Sequence, residues 1–457
     1  DPDTAKSQLN EALRKHPKDT GLLMLQAEGE RQAEHFKTAK SIYANIIENE
    51  ATYSPAYLAL STLQFQEGRQ QESVETLSQG AAVVEDKLPI LEKKAEYQMK
   101  IGATLRAKET MGEILTIDPN NTAVKLRFAT LLKNLGYGDE AARYYRDLQI
   151  AGALGAETLL DYAEVLIKLK RFDEAFKHVE TVIETDPLNL RANVLRGAVH
   201  TARGEYKVAD EDLRKALKVN SESANAYYYL GRNEMAQGRV TKAVEFLAKA
   251  SSLAAGNNAM RADLARAYTE VGGIDNRRKA LGQYTQIVNE YEGYTTNLDR
   301  KRIDPDIYFR RGRLFYENGQ HREALSDFKQ AMILDPVRED AVVEFARTLN
   351  TMGKRTEAEA YLKEILARDP KNPSAHYEMG EIALKSSRRT EAEDHFKQAI
   401  AAGGANFPTA HRYLGFLYKE KGLTTLSCNS FKEYLRVAPK SAYDREEIAR
   451  QTKSMCR

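Results

Sequence analysis

Residues 224–255 read ANAYYYLGRNEMAQGRVTKAVEFLAKASSLAA, and this stretch decides the fold. A glycine near its middle, Gly238, separates two segments whose apolar residues recur every three to four positions, as on one face of a helix. These apolar positions are Tyr227, Leu230, Phe246, Leu247 and Ala250. The stretch therefore predicts two amphipathic helices joined by a tight turn.

The same pattern recurs along almost the whole chain. Small residues stand 34 positions apart at Ala107, Ala141, Ala175, Ala209 and Ala243, and again at Ala324, Ala358 and Ala392. Glycines stand five positions earlier, at Gly68, Gly102, Gly136, Gly204, Gly238, Gly319 and Gly353. Prolines stand twelve positions later, at Pro17, Pro119, Pro187, Pro336, Pro370 and Pro439. Three series in one phase indicate a repeated helix-turn-helix unit.

Each series has a physical reason. The alanine lets the second helix of a repeat approach the first closely, where a larger side chain would overpack the contact. The glycine turns the chain between the helices, because it adopts positive φ at little cost. The proline ends the second helix and begins the step to the next repeat.

This pattern resembles the tetratricopeptide repeat family. The resemblance is carried by the alanine, glycine and aromatic positions of residues 224–250, by Leu230-Gly231, and by AxxxF…A…DP in Ala324–Pro336. The family usually has a Trp near the start of the first helix, whereas this chain has none. Tyr57, Tyr227, Tyr308, His376 and His411 take that place. The resemblance implies an all-α, right-handed superhelical solenoid of about twelve repeats.

The positions of the three series also predict how the chain is divided into repeats. Complete repeats begin near Thr20, Ser54, Leu88, Thr122, Ala156, Leu190, Ala224, Asn258, Pro305, Glu339, Pro373 and Pro408. We therefore expect a lone second helix in 1–19, repeats 1–8 in 20–293, repeats 9–12 in 305–440, and a capping helix with a frayed tail in 441–457. A lone second helix would expose its apolar face, which favours a fragment of a longer or processed protein.

The repeat is interrupted between the eighth and ninth copies. The segment VGGIDNRRKA is three residues longer than its counterparts, which predicts a longer turn before Ala280. A further insertion at 294–304 contains the basic run Asp299-Arg300-Lys301-Arg302. Insertions in solenoids form loops, so this segment is either a tolerated surface loop or a functional one.

The composition of the chain limits the functions and the cellular locations that it can have. A formal net charge of +2 provides no overall field for nucleic acid or anionic membranes. No apolar run reaches the length of about 18 residues that spans a bilayer. The two cysteines, Cys428 and Cys456, predict no disulfide framework, and Cys428 is interpreted as a packed thiol. We therefore expect a bacterial, cytoplasmic protein, or a periplasmic or exported one if a signal segment was removed.

Enzymatic signatures are missing from the sequence. There is no HExxH, CxxC, GxxxxGK[ST] or GxSxG motif, so we predict no catalytic residues. His376 and His411 occupy core aromatic places and His395 lies on a second helix, so we predict neither a metal nor a cofactor. The sequon Asn120-Asn121-Thr122 is of a kind expected by chance in a chain of this length.

The family resemblance implies that the first helices line a concave groove. Positions i, i+4 and i+7 of a helix share one face, which places an arginine at one point of four consecutive repeats: Arg232, Arg266, Arg313 and Arg347. The full predicted partner-binding set is Tyr228, Tyr229, Arg232, Arg266, Phe309, Arg310, Arg313, Tyr316, Arg347, Asn350, Tyr377, Arg412 and Tyr413. Arginines beside aromatic rings suit carboxylates and apolar anchors. Alternatively, these arginines pair internally with Asp263, Asp306, Asp340, Glu344 and Glu378.

The sequence thus favours a non-catalytic scaffold or adaptor. Its groove would bind an acidic or amphipathic segment, or a small regulatory protein such as a GTPase. The alternative is the regulatory or targeting region of a larger enzyme, secretion or motility machine whose other domains precede residue 1. The Lys/Asn/Arg carboxylate clamp of chaperone-binding relatives and the asparagine series of the sugar-transferase relatives are both absent. Nucleic-acid binding is disfavoured by the near-neutral charge.

Overall fold

The computed structural model describes residues 2–293 and 303–456, so the basic run of the predicted inserted loop lies outside the described residues. All regular secondary structure within them is helical. The chain divides into an N-terminal unit that ends at Ala255 and a C-terminal unit that begins at Gly256.

The N-terminal unit contains fifteen helices among its described residues. They are α1 (Pro2–Lys15), α2 (Thr20–Gln32), α3 (Phe36–Asn49), α4 (Ser54–Gln66), α5 (Gln70–Val83), α6 (Leu88–Lys100), α7 (Thr104–Ile117), α8 (Thr122–Leu135), α9 (Gly138–Ile150), α10 (Ala156–Lys168), α11 (Phe172–Thr185), α12 (Leu190–Ala202), α13 (Tyr206–Val219), α14 (Ala224–Ala236) and α15 (Val240–Leu253).

The C-terminal unit continues the same order. Its helices are α16 (Asn258–Val271), α17 (Ile274–Gly293), α18 (Pro305–Glu317), α19 (His321–Leu334), α20 (Glu339–Thr351), α21 (Arg355–Arg368), α22 (Pro373–Lys385), α23 (Arg389–Gly403), α24 (Pro408–Glu420), α25 (Thr424–Val437) and α26 (Arg445–Met455). A short 3₁₀ helix, Gly404–Asn406, precedes α24.

Even-numbered helices from α2 to α24 are the first helices of repeats 1–12, and odd-numbered helices from α3 to α25 are the second helices. All twelve first helices begin at the residues that the repeat predicts, from Thr20 in α2 to Pro408 in α24. Each first helix packs against the second helix of its own repeat. The predicted all-α repeat fold is therefore confirmed.

Side-chain caps explain many of these helix starts. The side chains of Asp19, Asn121, Asn189, Ser223, Asn257, Asp304 and Asn372 each accept a hydrogen bond from a backbone N–H in the first turn of the following first helix. Such caps satisfy donors that have no partner within the helix and stabilise a helix by about 0.5–2 kcal/mol.

Close packing within a repeat depends on its small residues. Ala243 is fully buried where α15 meets α14. A Cβ atom added to Gly231 of α14 would lie 2.6 Å from Cγ of Leu247 in α15. Gly238, between these helices, has φ of 71°, which an L side chain would adopt only under strain. The periodic small residues therefore set both the helix separation and the turn.

The prediction of a longer turn in repeat 8 is wrong. Two glycines, Gly272 and Gly273, suffice to connect α16 to α17, because both adopt positive φ (75° and 80°). The additional residues lengthen α17 instead, so that Ala280 is its seventh residue, whereas Ala243 is the fourth residue of α15. Ala280 is nevertheless fully buried, which preserves the packing of the repeat.

The predictions for the chain's last residues also need correction. Helix α26 begins at Arg445 and continues to Met455, so Lys453, Ser454 and Met455 of the predicted frayed tail are helical. Cys428 of α25 and Cys456 form a disulfide, with Cα atoms 5.7 Å apart. The interpretation of Cys428 as a packed thiol is therefore wrong, because α26 packs back onto α25 and brings together two cysteines 28 residues apart. Disulfides persist mainly in oxidising compartments, so the cysteines no longer support a cytoplasmic location.

Candidate protein-binding surface

The first helices α18, α20, α22 and α24 of the C-terminal unit are joined by a row of polar contacts. The hydroxyls of Tyr316 and Thr351 lie 3.0 Å apart, which connects α18 to α20. Nε of Arg347 donates to Oε1 of Glu378 over 2.7 Å, which connects α20 to α22. The hydroxyl of Tyr413 in α24 donates to Oε1 of Glu381 in α22 over 2.9 Å. We call the side chains on this row of helices the first-helix surface.

Several predicted arginines of this unit have internal partners. Arg266 pairs with Asp263 one turn away at 2.5 Å, and Arg310 pairs with Asp306. Arg347 contacts both Glu344, at 3.0 Å, and Glu378. Arg412 pairs with Asp444, at the start of α26, and its guanidinium also donates to the hydroxyl of Tyr443. Of the internal ion pairs weighed in the sequence analysis, those to Asp263, Asp306, Glu344 and Glu378 are thus present, whereas Asp340 pairs with Arg338, which is not in the predicted set.

The side chains of these arginines differ in how exposed they are to solvent. The side chain of Arg266 is 45% exposed, whereas that of Arg412 is 15% exposed. Arg313 is exposed and makes no ion pair or hydrogen bond with any residue in the described part of the chain. Arg266 and Arg313 are therefore the cations of this unit's predicted set that a partner could reach most easily.

Two predicted contact residues lie too deep for a surface role. Phe309 is 9% exposed, because its ring packs in the core near Phe328 and beneath the guanidinium of Arg338, which lies 4.2 Å from the ring centre. Asn350 is 4% exposed in the last turn of α20. The i, i+4, i+7 rule places both on the correct side of a helix but takes no account of how neighbouring segments cover them.

The predicted set in the N-terminal unit lies on α14. The rings of Tyr228 and Tyr229 make an edge contact with centroids 5.1 Å apart. The guanidinium of Arg232, which is exposed, lies 5.7 Å from the ring centre of Tyr228. These residues form a local arginine–tyrosine group on one helix.

Sequence reasoning named Glu344 of α20 and Glu378 of α22 as internal partners of arginines but missed Glu381 of α22, which joins them in an acidic group. Glu344 and Glu378 both bind the guanidinium of Arg347, while Glu381, whose charge acts on Glu378, accepts hydrogen bonds from the hydroxyls of Tyr377 and Tyr413. A signal for it was available, since Glu381 follows Tyr377 by four positions, as Arg347 follows Val343. The arginine series therefore ends in a glutamate in repeat 11.

Burial changes the proton affinity of this group. Glu378 is 1% exposed, and burial together with the nearby charges of Glu381 and Glu344 raises its pKa to about 7 despite the opposing effect of Arg347. Burial and Glu381 likewise raise the pKa of the Tyr413 hydroxyl to about 12. Burial also raises the pKa of the Tyr377 hydroxyl, so both tyrosines stay protonated and donate to Glu381.

The described residues offer no site for metal chemistry. No group of three or more His, Cys, Asp or Glu side chains within them has the arrangement of a metal site. His376 and His395 face each other, with their Nδ1 atoms 2.9 Å apart, and Nε2 of His376 lies 3.0 Å from the carbonyl oxygen of Pro370. No described helix is long and apolar enough to cross a membrane.

Comparisons with known proteins agree with the repeat. The tetratricopeptide repeat family model matches residues 194–258, 305–336 and 343–411. Human Superkiller complex protein 3 is similar, with 23% identity over 64% of this chain and 21% of that protein. Anaphase-promoting complex subunit 3 of Schizosaccharomyces pombe is 21% identical over 54% of this chain and 42% of its own length. This chain therefore spans less than half the length of either relative.

One solved structure covers most of the chain. The crystal structure of the anaphase-promoting complex hetero-tetramer Cut9–Hcn1 aligns over 98% of this chain and 94% of that chain, with a TM-score of 0.47 and 14% sequence identity.

Proposed function

Because the chain belongs to the tetratricopeptide repeat family, we propose that it is a protein-binding scaffold whose first-helix surface recognises an acidic segment of a partner. The proposal depends on one observation above all. Arg313 is an exposed cation without an ion-pair partner in the described chain, on the same helix as the half-buried ring of Tyr316. An exposed guanidinium beside an aromatic ring suits a carboxylate together with an apolar group.

The energetics favour recognition by a few side chains. A hydrogen bond to a charged group contributes about 1.5–3 kcal/mol, so two such bonds would dominate the choice of an acidic segment. Arg266, on the preceding first helix α16, would supply the second, exchanging its partly exposed pair with Asp263 for a partner carboxylate. Exposed ion pairs contribute only about 0–1 kcal/mol, so this exchange costs little.

The proposed partner is a protein with accessible carboxylates. An acidic or amphipathic segment meets this requirement, and so does an acidic patch on a small folded protein such as a regulatory GTPase. The relatives named above are complex subunits by name, which supports a role for this chain within an assembly. In such a role the chain would hold a partner in place and carry out no chemistry.

The test is charge reversal of the two accessible arginines. We expect Arg266→Glu with Arg313→Glu to abolish capture of the partner from the native source, measured by crosslinking mass spectrometry, while helical circular dichroism and melting stay unchanged. The matched control is Arg278→Glu with Arg322→Glu, which reverses two exposed charges on the second helices α17 and α19. Equal capture by both double variants would refute the proposal.

A further inference from the structure

The acidic group in repeats 10 and 11 contains acceptors without donors. Oε2 of Glu378 is buried and receives no hydrogen bond from any described residue, although Oε1 of the same carboxylate binds Arg347. Oδ1 of Asn350 is also buried and receives no hydrogen bond from any described residue. Asn350 lies three positions after Arg347, on the same side of α20. Buried acceptors are normally paired, so two unpaired ones in neighbouring helices indicate a missing donor.

The charges around these acceptors favour a cationic donor. The carboxylates are Glu344, Glu378 and Glu381, and the neighbouring cations are Arg347, Lys385 and Arg412, of which Arg412 lies 4.9 Å from the ring centre of Tyr413 and already pairs with Asp444. Arg347 already binds Glu344 and Glu378, while Nζ of Lys385 lies 3.5 Å from Glu381 at the exposed end of its helix. None of these cations reaches Oε2 of Glu378. One further positive charge would therefore balance the three carboxylates.

Aromatic rings flank the same place. The hydroxyl of Tyr377 donates to Oε1 of Glu381 over 3.0 Å, and that of Tyr413 donates to the same atom. The ring of Tyr377 packs against Phe407 with centroids 5.5 Å apart, and that of Tyr413 stacks on Phe396 at 5.0 Å. These contacts hold the tyrosines and Glu381 in place.

We propose that Glu378, Glu381 and Asn350, flanked by Tyr377 and Tyr413, form a cation site that takes the side chain of a lysine or arginine from a bound protein segment. This inference rests on the proposed protein-binding function and names a second element of its specificity. A segment bound along the first-helix surface would place carboxylates near Arg313 of α18 and a basic side chain near Glu378 of α22. The site would then recognise a charge pattern rather than acidity alone.

The chemistry of the donor follows from the acceptors. A lysine ammonium offers three N–H donors and an arginine guanidinium five, so either has enough donors for both Oε2 of Glu378 and Oδ1 of Asn350. Entry of the cation favours the ionised carboxylate, so binding releases a proton from the Glu378 carboxyl group when it is protonated. Affinity should therefore increase as the pH rises through neutrality, with Arg347, Lys385, Glu344 and Glu381 as the facing charges.

The test uses three capped tripeptides and the full chain. Acetyl-Ala-Lys-Ala-amide and acetyl-Ala-Arg-Ala-amide are titrated against protein carrying fluorine-labelled tyrosine, followed by fluorine NMR, with acetyl-Ala-norleucine-Ala-amide as the uncharged probe. We expect a cationic tripeptide to shift the resonances of Tyr377 and Tyr413. Glu378→Gln with Glu381→Gln should weaken its binding at least tenfold, whereas the control Glu446→Gln with Glu447→Gln, which neutralises two exposed carboxylates of the same unit, should leave it unchanged.

The outcomes separate this inference from the proposed function. It is overturned if neither cationic tripeptide binds, if the norleucine peptide binds equally well, or if the Glu378/Glu381 variant binds as wild type does. The Arg266→Glu/Arg313→Glu variant should retain tripeptide binding, because those arginines are not part of the cation site. If that variant loses partner capture and neither cationic tripeptide binds the wild-type protein, the proposed function stands and only the cation site is overturned.

Discussion

Nε of Arg347 donates to Oε1 of Glu378 across 2.7 Å, and the two residues lie on consecutive first helices, 31 positions apart in sequence. This pair joins repeat 10 to repeat 11 and makes Arg347 part of the internal structure. Arg313, one repeat earlier at the equivalent place, has no such partner in the described chain. Equivalent positions in the repeat therefore serve different purposes.

We predict that this difference appears in stability. Arg347→Ala should lower the free energy of unfolding by about 2 kcal/mol, because it leaves the buried carboxylate of Glu378 without its cation. The estimate is below that for a fully buried pair, because the Arg347 side chain is 35% exposed and partly screened. Arg313→Ala should change stability by no more than about 0.5 kcal/mol. Urea unfolding followed by circular dichroism measures both, and equal losses would contradict the assignment.

The buried carboxyl of Glu378 predicts a pH dependence. Its pKa is raised from 4.5 to about 7, chiefly by burial, so the folded chain holds this proton more tightly than the unfolded chain. The stabilisation that this bound proton gives the folded chain is complete below the pKa of Glu378 in the unfolded chain. It is lost as the pH of the solution rises through about 7. Glu378→Gln should therefore gain stability relative to wild type, by roughly 1–3 kcal/mol, between about pH 5 and pH 8. The exposed control Glu446→Gln should show no such gain, and a pH-independent difference for Glu378→Gln would contradict the raised pKa.

The disulfide predicts a stabilised last helix. Cys428 and Cys456 close a loop of 28 residues, which stabilises the docked state by about 3–4 kcal/mol in the chain-entropy treatment. Cys428→Ser with Cys456→Ser should speed amide hydrogen exchange in α26 while leaving α18–α21 unchanged. Non-reducing peptide mass spectrometry should find the two cysteines linked in the untreated protein. Two freely alkylated thiols would show that the bond does not form.

Helix packing within a repeat predicts the effect of overfilling. Ala243→Trp should destabilise the chain by about 1–3 kcal/mol, because the fully buried alanine lies where α14 and α15 meet. Ala236→Trp, at the exposed end of α14, is the matched control and should have little effect. Thermal melting compares the two variants, and a neutral result at Ala243 would mean that the phase of the repeat is misassigned.

Part of the candidate surface could be predicted from the sequence. The spacing that selected Arg313 and Arg347 selects Glu381 as well. The change from a positive to a negative side chain at this position of repeat 11 can therefore be predicted from the sequence. The burial of Phe309 was not predictable in this way, because the covering residue, Arg338, lies in the connection between α19 and α20. Such contacts depend on the path of a segment that has no periodic pattern.

The sequence by itself determined the fold and its phase, because the repeats carry their own apolar positions and small residues within about 34 residues, and seven of the twelve first helices also carry a side-chain cap. Local signals were enough to predict where all twelve first helices begin, even across the interruption at Gly272. Only the tertiary structure decided which charges stay available, as for Arg347 and Arg313, and that Cys428 meets Cys456. These outcomes depend on the distance between side chains of different helices, which a linear spacing does not contain.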